Sequence, residues 1–188
     1  MNGKAIIFSA PSGSGKTTIV RYLLNYYPQL CFSISATTRL VRGEEVDGKD
    51  YYFLRQPEFE RKIKNKEFVE WEEVYEGLYY GTLKSEIERI WNQGNVVIFD
   101  VDVKGGKTLK QYFGKDALAV FIRPPSVEVL RQRLIGRNTD GLKSIEDRLN
   151  KAGEELTYEK YFDISVVNDD LNTAVEDVKE KVGKFINI

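Results

Sequence analysis

Residues 10–17, Ala10-Pro11-Ser12-Gly13-Ser14-Gly15-Lys16-Thr17, combine the small residues, the cation and the hydroxyl that a polyphosphate ligand requires. The stretch from Ser12 to Gly15 can curl so that successive backbone N–H groups point inward, and Gly15-Lys16-Thr17 opens a helix at its positive dipole end. Such a nest attracts anions. From that position Lys16 reaches the β- and γ-phosphates as a mobile point charge, and the Thr17 hydroxyl ligates a magnesium ion bridging them, while Thr18 faces the helix surroundings.

The nest needs a rigid element on each side. Ala5, Ile6, Ile7 and Phe8 form an apolar run suited to a buried parallel strand, and Ile19, Val20, Leu23 and Leu24 recur at helical spacing. Strand, tight turn and helix in this order fit the P-loop pattern G-x-x-x-x-G-K-[ST], with Ala10 in place of the first glycine. A Cβ at Ala10 is tolerable if φ there is negative and nothing packs against it. The competing reading is a plain Gly/Ser turn between a strand and a helix.

A chain of 188 residues suits one domain with one good core. No apolar run is long enough to span a bilayer, and no signal-peptide pattern opens the chain. There is no histidine, which removes imidazole as a general base and argues against zinc. The lone Cys31 rules out an internal disulfide and reads as a buried small hydrophobe, so the cytoplasm is the expected compartment. A net charge of -1 gives no field for holding a nucleic-acid backbone, so a small charged ligand fits better. Arginines nevertheless gather at Arg39 and Arg42 and again at Arg131, Arg133, Arg137 and Arg148, and guanidinium groups suit phosphate oxygens.

After the first helix Pro28 marks a break, and residues 31–36 alternate as a strand would. Residues 37–51 read as a charged loop. Arg39 and Arg42 converge on one anion if the backbone turns between them, or are solvated surface groups. Residues 51–54 are extended, 57–66 a short charged helix, and 68–75 a strand with Glu70 and Glu72 on one face, where solvation is the default. Residues 79–82 read as a turn. Residues 84–93 form a helix with Ile87, Ile90 and Trp91 on one side, ended near Gly94. Residues 96–99 are an apolar strand running into Asp100-Val101-Asp102, at the carboxyl end where open α/β sheets bind ligands. Asp100 resembles a Walker-B acid; a helix N-cap or an exposed loop acid is the alternative, with more weight for Asp102.

Leu109, Tyr112 and Phe113 fit a helix on the sheet, residues 118–122 a further strand, and Pro124-Pro125-Ser126 a stop followed by an N-cap. Residues 127–156 read as helix, a break at 136–141, and helix again. This hairpin has few apolar residues, which suits a mobile cover closing over a phosphate chain. Residues 164–167 make the last strand, 168–170 a turn, and Ala174, Val175, Val178, Val182, Phe185 and Ile186 a closing amphipathic helix. The expected fold is α/β: a P-loop three-layer arrangement with a mainly parallel core sheet of about five strands. It forms a single domain with core 1–33, 85–125 and 151–188, a small α/β insert at 34–84 and a helical lid at 126–150.

Six segments, FSAPSGSGKTT, SISATTRLVRGEEVDGKDYYF, FVEWEEV with YYGT, VIFDVDVKG, RPPSVEVLRQRLIGR and VVNDDL, together resemble the guanylate kinase family over nearly the whole length. The resemblance implies reversible, magnesium-dependent phosphoryl transfer from ATP to GMP, giving ADP and GDP, in purine nucleotide metabolism and GMP recycling. It implies that Arg39, Arg42, Tyr51 and Tyr80 hold the GMP phosphate and that Ser35, Glu70, Thr82 and Asp102 address the guanine, with Glu45 in the same site. ATP then lies on residues 10–17, with Arg133, Arg137 and Arg148 from the lid, Asn168 near the adenine, and Thr17 and Asp100 at magnesium. Lys16, Arg39, Arg42, Arg137 and Arg148 form the catalytic set. No general base is required, because a phosphate monoester with a second pKa of about 6 is mostly ionised at neutral pH.

Guanine offers two N–H donors that a carboxylate such as Glu70 can accept together, whereas adenine sets a lone pair against it, at a cost of roughly 1–3 kcal/mol. Two other readings compete: a family member that has lost catalysis and binds partner proteins, and a kinase for another monophosphate. Retention of Lys16, Thr17, Arg39, Arg42, Arg137 and Arg148 argues against the first, and Glu70 with Ser35 and Thr82 against the second. The expected partners are ATP and GMP, without nucleic acid or membrane, and the expected working unit is a monomer or weak homo-oligomer.

Overall fold

A computed structural model describes residues 3–136 and 142–186. In chain order its elements are β1 (Ala5–Ser9), α1 (Lys16–Tyr26), β2 (Leu30–Phe32), β3 (Ala36–Thr37), β4 (Tyr52–Phe53), α2 (Gln56–Lys64), β5 (Phe68–Tyr75), β6 (Leu78–Leu83) and α3 (Lys84–Asn92). There follow β7 (Val96–Asp100), α4 (Val103–Phe113), β8 (Ala117–Arg123), α5 (Val127–Gly136), α6 (Leu142–Leu156), β9 (Ile164–Val167) and α7 (Leu171–Ile186).

β1 carries no charged side chain and is buried along its whole length, so it is stable only where both faces are covered. The sheet order β2-β7-β1-β8-β9, with every pair parallel, puts it at the centre. Its alternating residues then divide between two helical layers. Ile6 and Phe8 pack with Ile19, Val20 and Leu23 of α1 and Val175, Val178 and Val182 of α7. Ala5 and Ile7 pack with Ile87 and Ile90 of α3 and Leu109 and Phe113 of α4. This is the three-layer, parallel α/β fold expected from the alternation of apolar strands and helices.

A second sheet, order β4-β3-β6-β5, lies between β2 and α3 in sequence. Helix α2 covers it through Phe59, which is buried and stacks on Phe68 and Tyr79 with ring centroids 4.3 and 5.3 Å away. Two sequence readings are corrected here. Residues 31–36 are not one strand: β2 ends at Phe32 and β3 begins at Ala36 in the other sheet, so the alternation continues across a change of sheet. Residues 79–82 are not a turn but the middle of β6. Gly81 is there because a Cβ would lie 2.8 Å from the Glu70 carbonyl oxygen of the paired strand, and the actual turn is at Gly77, with φ of 73°. Cys31 is half-buried, packed against the edge of the core, rather than fully enclosed.

Beyond the Asn65 cap of α2 comes Lys66 at φ 57°, the one non-glycine residue with positive φ among the described residues. Lys66 N donates to Ile63 O (2.9 Å) and Glu67 N to Lys62 O (3.0 Å), the paired bonds of a Schellman cap whose left-handed position favours glycine. Lys66→Gly is therefore expected to raise the unfolding free energy by about 0.5–1 kcal/mol, visible as a higher urea midpoint at unchanged m-value. A lower midpoint would show that the Lys66 side chain stabilises more than its backbone strain costs.

The α5–α6 pair has its own small core of Leu130, Leu134 and Ala152, with Leu149 against it. Ser126 Oγ caps α5 by accepting from Val129 N at 3.1 Å. Among the described residues, no helix is long and apolar enough to cross a membrane.

Candidate active site

The loop between β1 and α1 owes its shape to two glycines, Gly13 at φ 93° and Gly15 at φ 88°. Gly15 has a second constraint. A Cβ there would lie 2.3 Å from Asn168 Nδ2, the atom that donates to Ser14 O at 2.7 Å. Asn168, 4% exposed at the end of β9, thus pins the loop from beneath, and Arg133 Nη2 secures that strand end by donating to Asn168 O (2.9 Å) and Asp169 O (3.2 Å). Neither residue lines the loop cavity. Ala10 lies outside the positive-φ region, and its methyl is part of the core beneath α1, so packing accommodates it rather than empty space.

The parallel pairing of β1 with β7 sets Phe8 beside Asp100 and brings that carboxylate to the mouth of the loop. Lys16 forms an ion pair with Asp100 and donates to Val101 O at 3.4 Å, and Thr17 Oγ1 donates to Asp100 Oδ2 at 3.2 Å. Residues 10–18 with Asp100, Val101, Asp102 and Glu155 enclose a cavity of about 360 Å³. Burial lowers the Lys16 ammonium to about 8, while the charges of Asp102 and Glu155 oppose that shift. Glu155, on α6 and 9% exposed, has its Oε2 without a hydrogen-bond partner among the described residues. Burial pushes its carboxyl up, against the opposing pull of Lys151 and the Ser12 amide. Sequence reasoning missed Glu155; the available signal was an acid in line with Leu149 and Ala152 on the apolar stripe of α6.

A second cavity, of about 240 Å³, opens between β5–β6 and the core, lined among others by Ser35, Tyr51, Glu70, Glu72, Tyr80 and Gly105. Asp100, Val101 and Asp102 line both cavities, so the two meet at the carboxyl end of β7. Thr82 is buried behind Glu70 and donates to its Oε1 at 2.6 Å. Burial raises the Glu70 pKa, partly offset by that hydroxyl, and the neighbouring Asp102 and Glu72 raise it further. Asp102 is the N-cap of α4, accepting from Gly105 N at 2.7 Å, yet it is exposed to both cavities. The capping alternative is therefore met without removing Asp102 from the site.

The charged loop after β3 is ordered around one ion pair. Arg39 donates through Nη1 to Glu45 Oε2 (2.9 Å) and through Nη2 to Oε1 (2.7 Å), and its guanidinium lies 5.1 Å from the Tyr51 ring centroid. The Glu45 carboxylate raises the Arg39 pKa, and Arg39 in turn holds Glu45 below the usual carboxylate range. Glu45 Oε2 also accepts from Arg42 N at 2.8 Å, closing a turn through Gly43, while the Arg42 side chain is exposed. Tyr80 sits beside Tyr51, ring centroids 6.1 Å apart. Arg39, Arg42 and Glu45 are not among the residues lining the second cavity, and Glu45 orients Arg39. Arg148 is half-buried on α6, and Arg137 lies outside the described residues.

The family model described as guanylate kinase matches residues 2–184. The guanylate kinase of Porphyromonas gingivalis is 53% identical over 184 residues, covering 97% of this chain and 98% of its own. That of Bacteroides thetaiotaomicron is 51% identical over 187 residues, covering 100% and 92%. The crystal structure of guanylate kinase from Anaplasma phagocytophilum superposes with a TM-score of 0.72 at 28% identity, over 96% of this chain and 84% of that one. With an anion nest, an acidic second cavity and the matched length all in agreement, this chain belongs to the guanylate kinase family.

Proposed function

We infer that this chain catalyses reversible transfer of the γ-phosphoryl group from ATP to GMP, giving ADP and GDP. The observation that carries the inference is the meeting of an amide- and lysine-lined cavity with a glutamate- and tyrosine-lined one at Asp100 and Asp102. That arrangement suits two nucleotides held phosphate to phosphate. ATP occupies residues 10–17, with Lys16 and Arg148 assigned to its phosphates, and Arg137, outside the described residues, assigned to them by the sequence alone. GMP occupies the arm at 34–84, its phosphate on Arg39, Arg42, Tyr51 and Tyr80 and its base on Ser35, Glu70, Thr82 and Asp102. Glu45 acts by orienting Arg39, and Asn168 and Arg133 act by shaping the loop that receives ATP.

Magnesium fits the adjacent oxygens of Thr17 and Asp100, which are hard donors of the kind this ion prefers. Among the described residues no group of three or more His, Cys, Asp or Glu could hold a metal by itself, so Thr17 and Asp100 would hold the ion together with groups from outside the protein. When bound it neutralises phosphate charge. The attacking phosphate oxygen is already ionised, and the protein's work is to align two anions, neutralise them and exclude water. We assign the reaction to the cytoplasm, which the single half-buried Cys31 suits, and to a monomer or weak homo-oligomer.

ADP release measured with GMP, AMP, UMP and dTMP in parallel, with and without magnesium and with an acceptor-free blank, tests the assignment. GMP alone should support fast, magnesium-dependent turnover. Faster turnover with another monophosphate would overturn it.

Glu70 gives a sharper expectation. Its raised pKa means that the folded chain binds this proton more tightly than the unfolded chain. The group's contribution to stability is therefore full below the ordinary carboxylate range and lost as pH rises through the folded value. At neutral pH the ionised carboxylate costs stability that guanine's two N–H donors offset on binding. Glu70→Gln should raise the melting temperature of the free protein while raising the KM for GMP by about 10- to 100-fold, because an amide presents a donor to a donor. The KM for ATP should stay unchanged.

A further inference from the structure

The chain leaves the core sheet where Ser33 N donates to Ile98 O at 3.0 Å, and pairs with the second sheet from Ala36 onward. Only Ile34 and Ser35 lie between. Ile34 N donates to Glu86 Oε1 at 3.1 Å, and the Tyr52 hydroxyl donates to Glu86 Oε2 at 2.8 Å. Tyr52 N in turn donates to Ser35 O at 2.9 Å. One carboxylate therefore fastens the residue before Ser35 and the residue after Tyr51, and both Ser35 and Tyr51 line the second cavity.

Glu86 itself belongs to the core. It lies in the first turn of α3, where the helix dipole favours a negative charge, and is 2% exposed. Arg89 donates Nε to Oε2 at 2.8 Å and Nη2 to Oε1 at 2.9 Å. Both oxygens are thus used twice. Stability alone does not explain such a group, since apolar residues of similar volume often replace a buried ion pair without loss, and Ile87 and Ile90 already seat α3 on the sheet. What an apolar residue could not supply is direction: a fixed acceptor for one strand root and a fixed partner for the other.

We propose that Glu86 is a positioning residue for the acceptor nucleotide, holding the root of the arm so that Ser35 and Tyr51 are in place before GMP arrives. The inference rests on GMP occupying the cavity that those two residues line.

The test is steady-state kinetics on the purified full chain and its Glu86→Ala, Glu86→Gln and Tyr52→Phe variants. Glu86→Ala should raise the KM for GMP by about tenfold and leave that for ATP within about twofold. Glu86→Gln should recover part of the loss, because an amide still accepts from Ile34 N and can donate to the Tyr52 oxygen, while its NH2 group gives up the bond from Arg89 Nε. Tyr52→Phe should raise the KM for GMP by about threefold alone and add nothing in the Glu86→Ala background. An unchanged KM for GMP in folded Glu86→Ala, or an equal rise in both KM values, overturns the proposal. If Glu86→Ala does not fold, an unchanged KM for GMP in Tyr52→Phe overturns it instead. Absence of GMP-dependent turnover in the unsubstituted chain would count against the acceptor assignment, whereas normal turnover with unmoved KM values would count against Glu86 alone.

Discussion

Lys16→Ala is expected to lower kcat/KM by about 10³-fold, without unfolding the protein. The ammonium sits in the loop cavity between Asp100 and the Val101 carbonyl, at the first residue of α1, where the proposed polyphosphate meets the helix dipole. Its removal takes away a fixed positive charge at the place where negative charge moves during transfer, and water cannot replace it with the same orientation. The fold does not depend on it. Ile19, Val20 and Leu23 seat α1 in the core, and burial lowers the ammonium to about 8, so the charge is not a source of stability for the fold. Circular dichroism and a melting curve should match the unsubstituted protein while turnover collapses. A folded variant within tenfold of normal activity would remove Lys16 from its assigned role.

Arg42→Ala comes next, with an expected loss of about 10³-fold in kcat/KM for GMP. Arg42 sits three residues after Arg39 on a loop whose turn Glu45 closes by accepting from the Arg42 amide, so the backbone is held while the exposed side chain can reach an anion. Alanine keeps that amide and therefore that turn. The melting temperature should change little, since nothing buried is lost. If GMP kinetics stay near normal, the phosphate lies elsewhere and Arg42 is the solvated surface arginine that spacing alone also allowed.

The loop that opens this site was legible because three independent signals agree there: an apolar strand, two glycines with required positive φ, and a Lys-Thr pair at a helix start. The central strands β1, β7 and β8 were legible for the same reason, as apolar runs too continuous to be half-exposed. Where the reading failed, tertiary contact had changed the meaning of a local signal. Gly81 looks like a turn residue, but it is a glycine because the neighbouring strand approaches too closely for a Cβ. Residues 31–36 alternate as one strand would, although the chain changes sheets at Ile34 and Ser35. Glu86 and Glu155 were passed over because an acid on an amphipathic helix usually faces water, and only the assembled fold reveals that these two do not. Arg39 and Arg42 were ambiguous by spacing, and it took Glu45, six positions beyond Arg39, to show that the loop between them is built rather than slack.

Placing β1 at the centre of a parallel sheet has a consequence for how the molecule comes into being. Ala5 pairs with Val97 on one side and Ala117 on the other, and Lys4 Nζ bonds to Phe185 O, 181 positions away. During synthesis this greasy first segment therefore emerges from the ribosome with none of its lasting neighbours yet made, whereas β5 and β6 can zip together as soon as they appear. Newborn chains should accordingly be unable to sequester ATP until Asn168 has been added beneath the loop, and they should need shelter from sticking to one another until then.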